Sequence, residues 1–203
     1  MIKTYPGGSV EALHSLIERC LRGDQQAHTE IYHHYAPGLY RLAYGILLDR
    51  QDAEDVLQEA FVYAFRSLRN YDPARGEFHT WLYTITVSRC RNMRRRKALP
   101  TVDLGRLLSL GQEPAGPAQE TPEAALARLG VRDALEEALA TLSPRLREAA
   151  ALRYGQGLTY REMAEVLGCP QKTAESRIRL VHEALGRALG GQGEVLLEEL
   201  WSF

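Results

Sequence analysis

TYREMAEVLGCPQKTAESRIRLVHEAL, residues 159–185, divides into a short helix, a tight turn and a longer helix, and this division decides the fold. Thr159 stands three residues before Glu162, the spacing of a capping box, in which each side chain accepts a hydrogen bond from the other residue's backbone amide. Gly168 stops the helix, because glycine takes the left-handed conformation just past a helix end without steric cost. After Cys169-Pro170 the second helix carries Ala174, Ile178, Val181 and Leu185 at spacings of three and four, which is one apolar stripe. Short helix, turn and longer helix make a helix-turn-helix. With the stripe packed inward, Gln171, Lys172, Glu175, Ser176 and Arg179 face away and Arg177 sits at the flank. These are donors and acceptors of the kind that read base edges and hold phosphates when the second helix lies in a major groove. The free amides that open the first helix, near Tyr160 and Arg161, can hold a phosphate as well. A plain three-helix bundle with a solvated charged face has the same periodicity, but not the capping box, the glycine stop and the turn spacing together.

Upstream of this motif every strongly patterned segment also has helical period, so the chain is expected to be all-α. One helix is expected from about Glu123 to Thr141. A second starts at Ser143, with Pro144 in the favoured first-turn position, and breaks at Gly155 and Gly157. Before these, residues 98–122 contain Pro100, Pro114, Pro117 and Pro122 with Gly105, Gly111 and Gly116, a linker composition. Fully extended, its roughly 25 residues span at most about 80 to 90 Å, so the domains on either side can occupy sites far apart. Its apolar patch, Leu104, Leu107, Leu108 and Leu110, is a docking candidate.

Residues 1–97 read as a four-helix domain. The first helix runs from about Val10 to Leu21; Asp24 caps a second, which Pro37 is expected to kink or split. Asp52 is expected to cap a third, with Val56, Leu57, Ala60, Phe61, Ala64, Phe65 and Leu68 as its apolar stripe. A fourth starts near His79 or Thr80. The architecture expected is therefore two small helical domains, 1–97 and 123–189, joined by a flexible linker, with an acidic and apolar tail over 190–203. That tail either packs on the second domain or offers a surface to a regulator.

Composition narrows the function classes. The formal net charge of -1 conceals a basic run, Arg89, Arg91, Arg94, Arg95, Arg96 and Lys97, at the end of the fourth helix. Cys20, Cys90 and Cys169 are isolated, so neither a zinc clip nor a disulfide framework is read from them. His14, His28, His33, His34, His79 and His182 do not converge with them on a ligand pattern and are expected mostly at surfaces. No metal and no cofactor is expected. No opening signal-like run and no stretch of about 18 apolar residues appears, so a cytoplasmic protein without direct membrane insertion is the expectation. There is no glycine-rich phosphate loop, no pair of carboxylate clusters and no nucleophile with its base, so no catalytic residue is assigned.

The loop before the fourth helix is NYDPARGEFH, residues 70–79. Bases outside a duplex bind on aromatic platforms beside positive charge. Tyr71, Phe78, His79 and Trp81 can supply such faces, although Phe78 and Trp81 also suit a core and the arginines also suit a solvated helix end.

Taken in order, DAEDVLQEAF (residues 52–61), FHTWL (residues 78–82) and the arginine cluster resemble region two of extracytoplasmic-function sigma factors, and residues 142–189 resemble their region four. The resemblance implies a subunit that brings RNA polymerase to a promoter, with region two melting and reading the minus-ten element and region four reading the minus-thirty-five element. It implies that Asp52, Asp55, Gln58 and Glu59 bind the clamp helices of the largest polymerase subunit. The loop, with Asn70, Tyr71, Arg75, Phe78 and His79, would capture a flipped minus-ten base, and Arg89, Arg91, Arg94, Arg95 and Arg96 would hold the backbone around the melted start. Lys172, Ser176, Arg177 and Arg179 would dock the upstream element. An anti-sigma factor is implied as a partner. The chain departs from the family pattern at Ser88 and Asn92, where asparagine and aspartate are usual, and at Glu175, where lysine is common; detailed base preference does not follow. Two other classes compete: a conventional helix-turn-helix regulator that binds duplex operator unaided, and a metal-dependent nucleic-acid enzyme using the acidic helix.

Overall fold

A computed structural model of the chain describes residues 10–98 and 136–188, all of it helix and connecting turn. The linker, the first part of the helix expected from Glu123 and the tail over 190–203 lie outside the described residues. The N-terminal lobe comprises α1 (Val10–Leu21), α2 (Gln25–Leu47), α3 (Arg50–Arg66), a single 3-10 turn (Leu68–Asn70) and α4 (Phe78–Ala98). The C-terminal lobe comprises α5 (136–141), α6 (Pro144–Ala150) running into a π-helical turn (Ala151–Gly155), α7 (Tyr160–Leu167) and α8 (Gln171–Ala188).

Asp24 caps α2, accepting from the amides of Gln26 and Ala27. Pro37 neither splits nor ends that helix, which continues to Leu47. An interior proline costs about 3 kcal/mol. Ile31, Leu39, Leu42 and Ile46 are fully buried around it, and each such side chain contributes about 1.5–3 kcal/mol. Packing on both sides of Pro37 therefore outweighs the missing hydrogen bond. The cap of α3 is Asp49, not Asp52. The Asp49 carboxylate accepts the Asp52 amide at 2.9 Å, which places Asp52 inside the first turn. The chain reaches this cap through Leu48, held at φ 56° by its amide bond to the Tyr44 carbonyl. The α2–α3 turn is thus one residue long before the cap, and it fixes where α3 begins.

In the helix-turn-helix the capping box is complete: Thr159 Oγ1 accepts the Glu162 amide, and Glu162 Oε2 accepts the Thr159 amide at 2.6 Å. Gly168 ends α7 at φ 64°. Ala174, Ile178, Val181 and Leu185 form the buried side of α8, as their spacing predicts.

The two lobes pack against each other, α7 on α4, and α6 and the π turn on α2. One continuous apolar cluster joins Phe78, Leu82 and Cys90 of the N-terminal lobe to Leu152, Met163 and Ile178 of the other. Gly38 lacks a side chain where the second lobe approaches, and its carbonyl accepts a buried hydrogen bond from Gln156 Nε2 at 3.2 Å. Tyr44 donates to Glu136 at 2.6 Å across the same boundary.

Candidate nucleic-acid interface

The basic run of α4 is sorted by helix azimuth, since successive residues turn by about 100°. Cys90 and Met93 are buried and fix the rotation. Arg89, Arg96 and Lys97 then fall towards α3. The Arg89 guanidinium lies 4.4 Å over the Tyr63 ring, Arg96 pairs with Glu59 at 2.8 Å, and Lys97 pairs with Asp52. On the other side, Arg91, Asn92, Arg94 and Arg95 line a groove of about 520 Å³ with Ser88 and Ala98. The expected set of minus-ten arginines therefore does not form one surface: Arg91, Arg94 and Arg95 share a groove, whereas Arg89 and Arg96 serve α3.

Within the groove sits a carboxylate that sequence reasoning missed. Glu148 of α6 is buried, its side chain 1% exposed, and it accepts from Arg91 Nη2 at 2.8 Å and from Arg94 Nη2 at 2.7 Å. Arg91 Nε lies 3.2 Å from both Glu148 oxygens, so this pair is bidentate. These hydrogen bonds hold the Arg91 pKa above the ordinary arginine value. Arg147 beside it is pushed the other way, by burial and by the charge of Arg94. The available signal was a glutamate inside the apolar run EAAAL, at a position that α6 turns inward.

The loop before α4 is pinned by its own bonds. Asp72 Oδ1 accepts the Ala74 amide at 2.9 Å and the Tyr71 hydroxyl donates to the Gly76 carbonyl at 3.3 Å. Tyr71, Phe78 and Trp81 pack as a trio with ring centroids 5.1–5.6 Å apart. Burial raises the Tyr71 phenol above its ordinary pKa, with Glu77 and Asp72 adding to the effect. Phe78 is 2% and His79 5% exposed, so neither ring presents an open face here, and His79 departs from the expectation of surface histidines. The His79 ring contacts Glu77 at 3.2 Å on one nitrogen and lies 4.0 Å from Glu162 of α7 on the other. Asn70 and Arg75 remain exposed.

On α3, Asp55 and Glu59 are half-buried and Gln58 exposed, but Asp52 is buried against Lys97. Asp52 is thus withdrawn from the acidic face, while exposed Val62 and Tyr63 extend that face apolarly. On α8, Gln171, Lys172, Glu175, Ser176 and Arg179 are all exposed, and Arg177 is half-buried at the flank. Gln171 donates to Glu175 at 2.9 Å, and Arg179 pairs with Glu183. Arg161 is exposed at the start of α7, whereas the Tyr160 ring is covered by the Arg153 guanidinium 5.0 Å away. Among the described residues no three His, Cys, Asp or Glu gather as a metal site, and no helix is long and apolar enough to cross a membrane.

An exposed polar row on the second helix of a helix-turn-helix, with a separate arginine groove on another lobe, defines a DNA-binding protein with two nucleic-acid surfaces. Residues 31–99 match sigma-70 region 2 and residues 132–185 match sigma-70 region 4. The RNA polymerase sigma-H factor of Pseudomonas aeruginosa is 34% identical over 180 residues, covering 86% of this chain and 92% of that protein. The ECF RNA polymerase sigma-E factor of Escherichia coli K12 is 32% identical, covering 84% and 90%. Among solved structures, CnrH in complex with the cytosolic domain of CnrY superposes with a TM-score of 0.55 at 26% identity, over 92% of this chain and 95% of that one. The sigma factor RpoE of Bartonella quintana, solved with the anti-sigma factor NepR, shares the fold, with a TM-score of 0.62 at 21% identity over 80% and 96%. The chain belongs to the extracytoplasmic-function sigma factors of the sigma-70 family, non-enzymatic subunits that direct RNA polymerase to promoters. A stand-alone helix-turn-helix regulator would have no need of the region-2 module that occupies residues 31–99.

Proposed function

We propose that the two lobes divide promoter recognition between them. The groove of Arg91, Asn92, Arg94 and Arg95, with Asn70, Tyr71 and Arg75 at the loop, takes the melted minus-ten strand. The row of Lys172, Glu175, Ser176 and Arg179, with Arg177 at its flank and Arg161 at the start of α7, docks the minus-thirty-five element. The observation that carries this reading is the placement of these two sets on different lobes, each on the outer face of a helix whose opposite face is buried. Asp55, Gln58 and Glu59 of α3 bind the clamp helices of the largest polymerase subunit, and Asp52 supports that helix from beneath. Glu175 would accept from a cytosine amine where a lysine would hold a phosphate. The protein works in the cytoplasm with core polymerase, and an anti-sigma factor restrains it; the relatives solved with CnrY and NepR support that partner. Run-off transcription from a promoter library with purified core polymerase tests the reading. Initiation should depend on the chain and fall when Arg95 or Lys172 is changed to alanine. Initiation indifferent to both substitutions would remove the division of labour.

A further inference from the structure

The same two arginines that line the proposed minus-ten groove are already occupied, by a carboxylate from the other lobe. Glu148 approaches Arg91 in the side-on, bidentate manner that guanidinium groups use for carboxylate and phosphate alike, and Arg94 binds one of the same oxygens. A single carboxylate does not satisfy this cluster. Arg94 Nη1 and Arg147 Nε are buried without hydrogen-bond partners, and Arg94 lies close enough to Arg147 to lower its pKa. Positive charge is therefore in surplus around Glu148, as in a seat made for a group with more oxygens. Burying a carboxylate is costly unless such cations stay with it, so Glu148 cannot keep its place if the arginines are taken by another anion.

We infer that Glu148 stands in for a nucleic-acid phosphate in the free chain, locking the C-terminal lobe over the minus-ten groove until the promoter strand displaces it. The inference rests on the assignment of Arg91 and Arg94 to DNA. The rest of the boundary suits a latch that opens: its cross-lobe hydrogen bonds away from the arginines are Tyr44 to Glu136 and Gln156 to the Gly38 carbonyl, each made by a single side-chain donor. Opening exposes Glu148 to water and leaves both arginines free for the strand, so lobe separation and strand binding are one equilibrium. A ligand that binds only the open form has its apparent affinity reduced by the open fraction.

The test uses the full-length chain, a fluorescent 20-nucleotide oligo-dT at low salt, and small-angle X-ray scattering for the separation of the lobes. Glu148→Gln keeps the shape and removes the charge; it should enlarge the radius of gyration and tighten oligo-dT binding by about tenfold, as for a closed form favoured about ten to one. Tyr44→Phe with Gln156→Ala loosens the boundary while leaving every α4 charge and Glu148 in place, and should shift both readouts the same way. It also covers the case in which Glu148→Gln fails to fold. Adding Arg91→Ala and Arg94→Ala to Glu148→Gln should abolish the gain in affinity. An unchanged radius of gyration in both variants would overturn the lock and leave the DNA assignment standing. Lobes that separate without any gain in oligo-dT affinity would overturn the phosphate seat, and with it the assignment of the groove to DNA.

Discussion

Asp52→Asn separates two roles that an acidic helix face can combine. In the structure Asp52 is a support: its side chain is 11% exposed and faces Lys97, which is 43% exposed. Because the lysine is largely in water, the pair is worth no more than an exposed one, about 0.2–1 kcal/mol. The charge also lies in the first turn of α3, where the helix dipole adds about 0.3–1 kcal/mol. Loss of both gives a destabilisation of about 0.5–2 kcal/mol, and in a chain of this size each kcal/mol lowers the melting temperature by about 2–4 °C. A fall of about 1–8 °C is therefore expected by scanning calorimetry, with core-polymerase affinity, read by fluorescence anisotropy, changed less than about twofold. Asp55 makes the complementary case. It accepts from Gln51 at 3.5 Å, so Asp55→Asn should stay within the ±0.5 kcal/mol typical of surface changes. Asp55→Arg with Glu59→Arg should abolish polymerase binding while the fold survives. An Asp52→Asn variant with an unchanged melting temperature and a tenfold loss of polymerase affinity would refute the reasoning, because it would make Asp52 a contact and the Lys97 pair irrelevant.

Arg177→Ala should weaken the upstream DNA contact by about 1–3 kcal/mol at one base position if it reads a base, whereas a uniform loss across sequences in a binding-site library would make it a phosphate contact. Arg95→Ala should lower the salt slope of oligo-dT binding by about 0.7 for one lost phosphate contact, while Arg96→Ala, whose guanidinium is engaged by Glu59, should leave that slope unchanged. In native thiol labelling Cys169, the partly exposed cysteine, should react first. Cys20 should lag and gain reactivity only as the pH nears its thiol pKa, pushed up to about 11 chiefly by burial; early labelling of Cys20 at neutral pH would contradict this. Hydrogen bonding from Arg19 and the amide of Ala27 holds the Asp24 carboxyl below 3.8, so its stabilisation is complete above that value and lost as the pH falls through the folded pKa. Asp24→Asn, which keeps a capping side chain, should therefore melt lower than wild type at pH 7 and equal to it in strong acid.

Where local chemistry decides a structure, the sequence was sufficient. The capping box at Thr159 and Glu162, the stop at Gly168 and the stripe from Ala174 to Leu185 each need only neighbours within one or two turns, and α8 presents the residues that this stripe implies. The cap of α3 was harder, because Asp49 and Asp52 are both good caps three residues apart. The choice between them follows from the left-handed Leu48, a conformation that no local rule gives to leucine. Pro37 misled for a similar reason: its local cost is real, but the burial of residues on either side depends on helices distant in sequence. The arginine run shows the sharpest limit. Arg94, Arg95, Arg96 and Lys97 cover the whole circumference of a helix, so composition reveals a basic segment and nothing of its division until Cys90 and Met93 fix the rotation. Glu148 and Gln156 act only across the lobe boundary, 54 to 118 residues from their partners, where periodicity has no reach.

That division gives the end of α4 three tasks instead of one. Arg96 and Lys97 tie it to Glu59 and Asp52 of the polymerase-facing helix. Arg91 and Arg94 tie it to Glu148 of the other lobe, and Arg95, exposed, remains nearest to solvent. The first tie is compatible with DNA in the groove, because it uses the opposite side of the helix; the second is not, because it uses the groove itself. A polymerase clamp that engages Glu59 would draw on the first tie and leave the second in place, so polymerase binding by itself need not free the groove. On this arrangement, release of Glu148 is left to the strand, and the step that opens the lobes is the same step that commits the protein to a promoter.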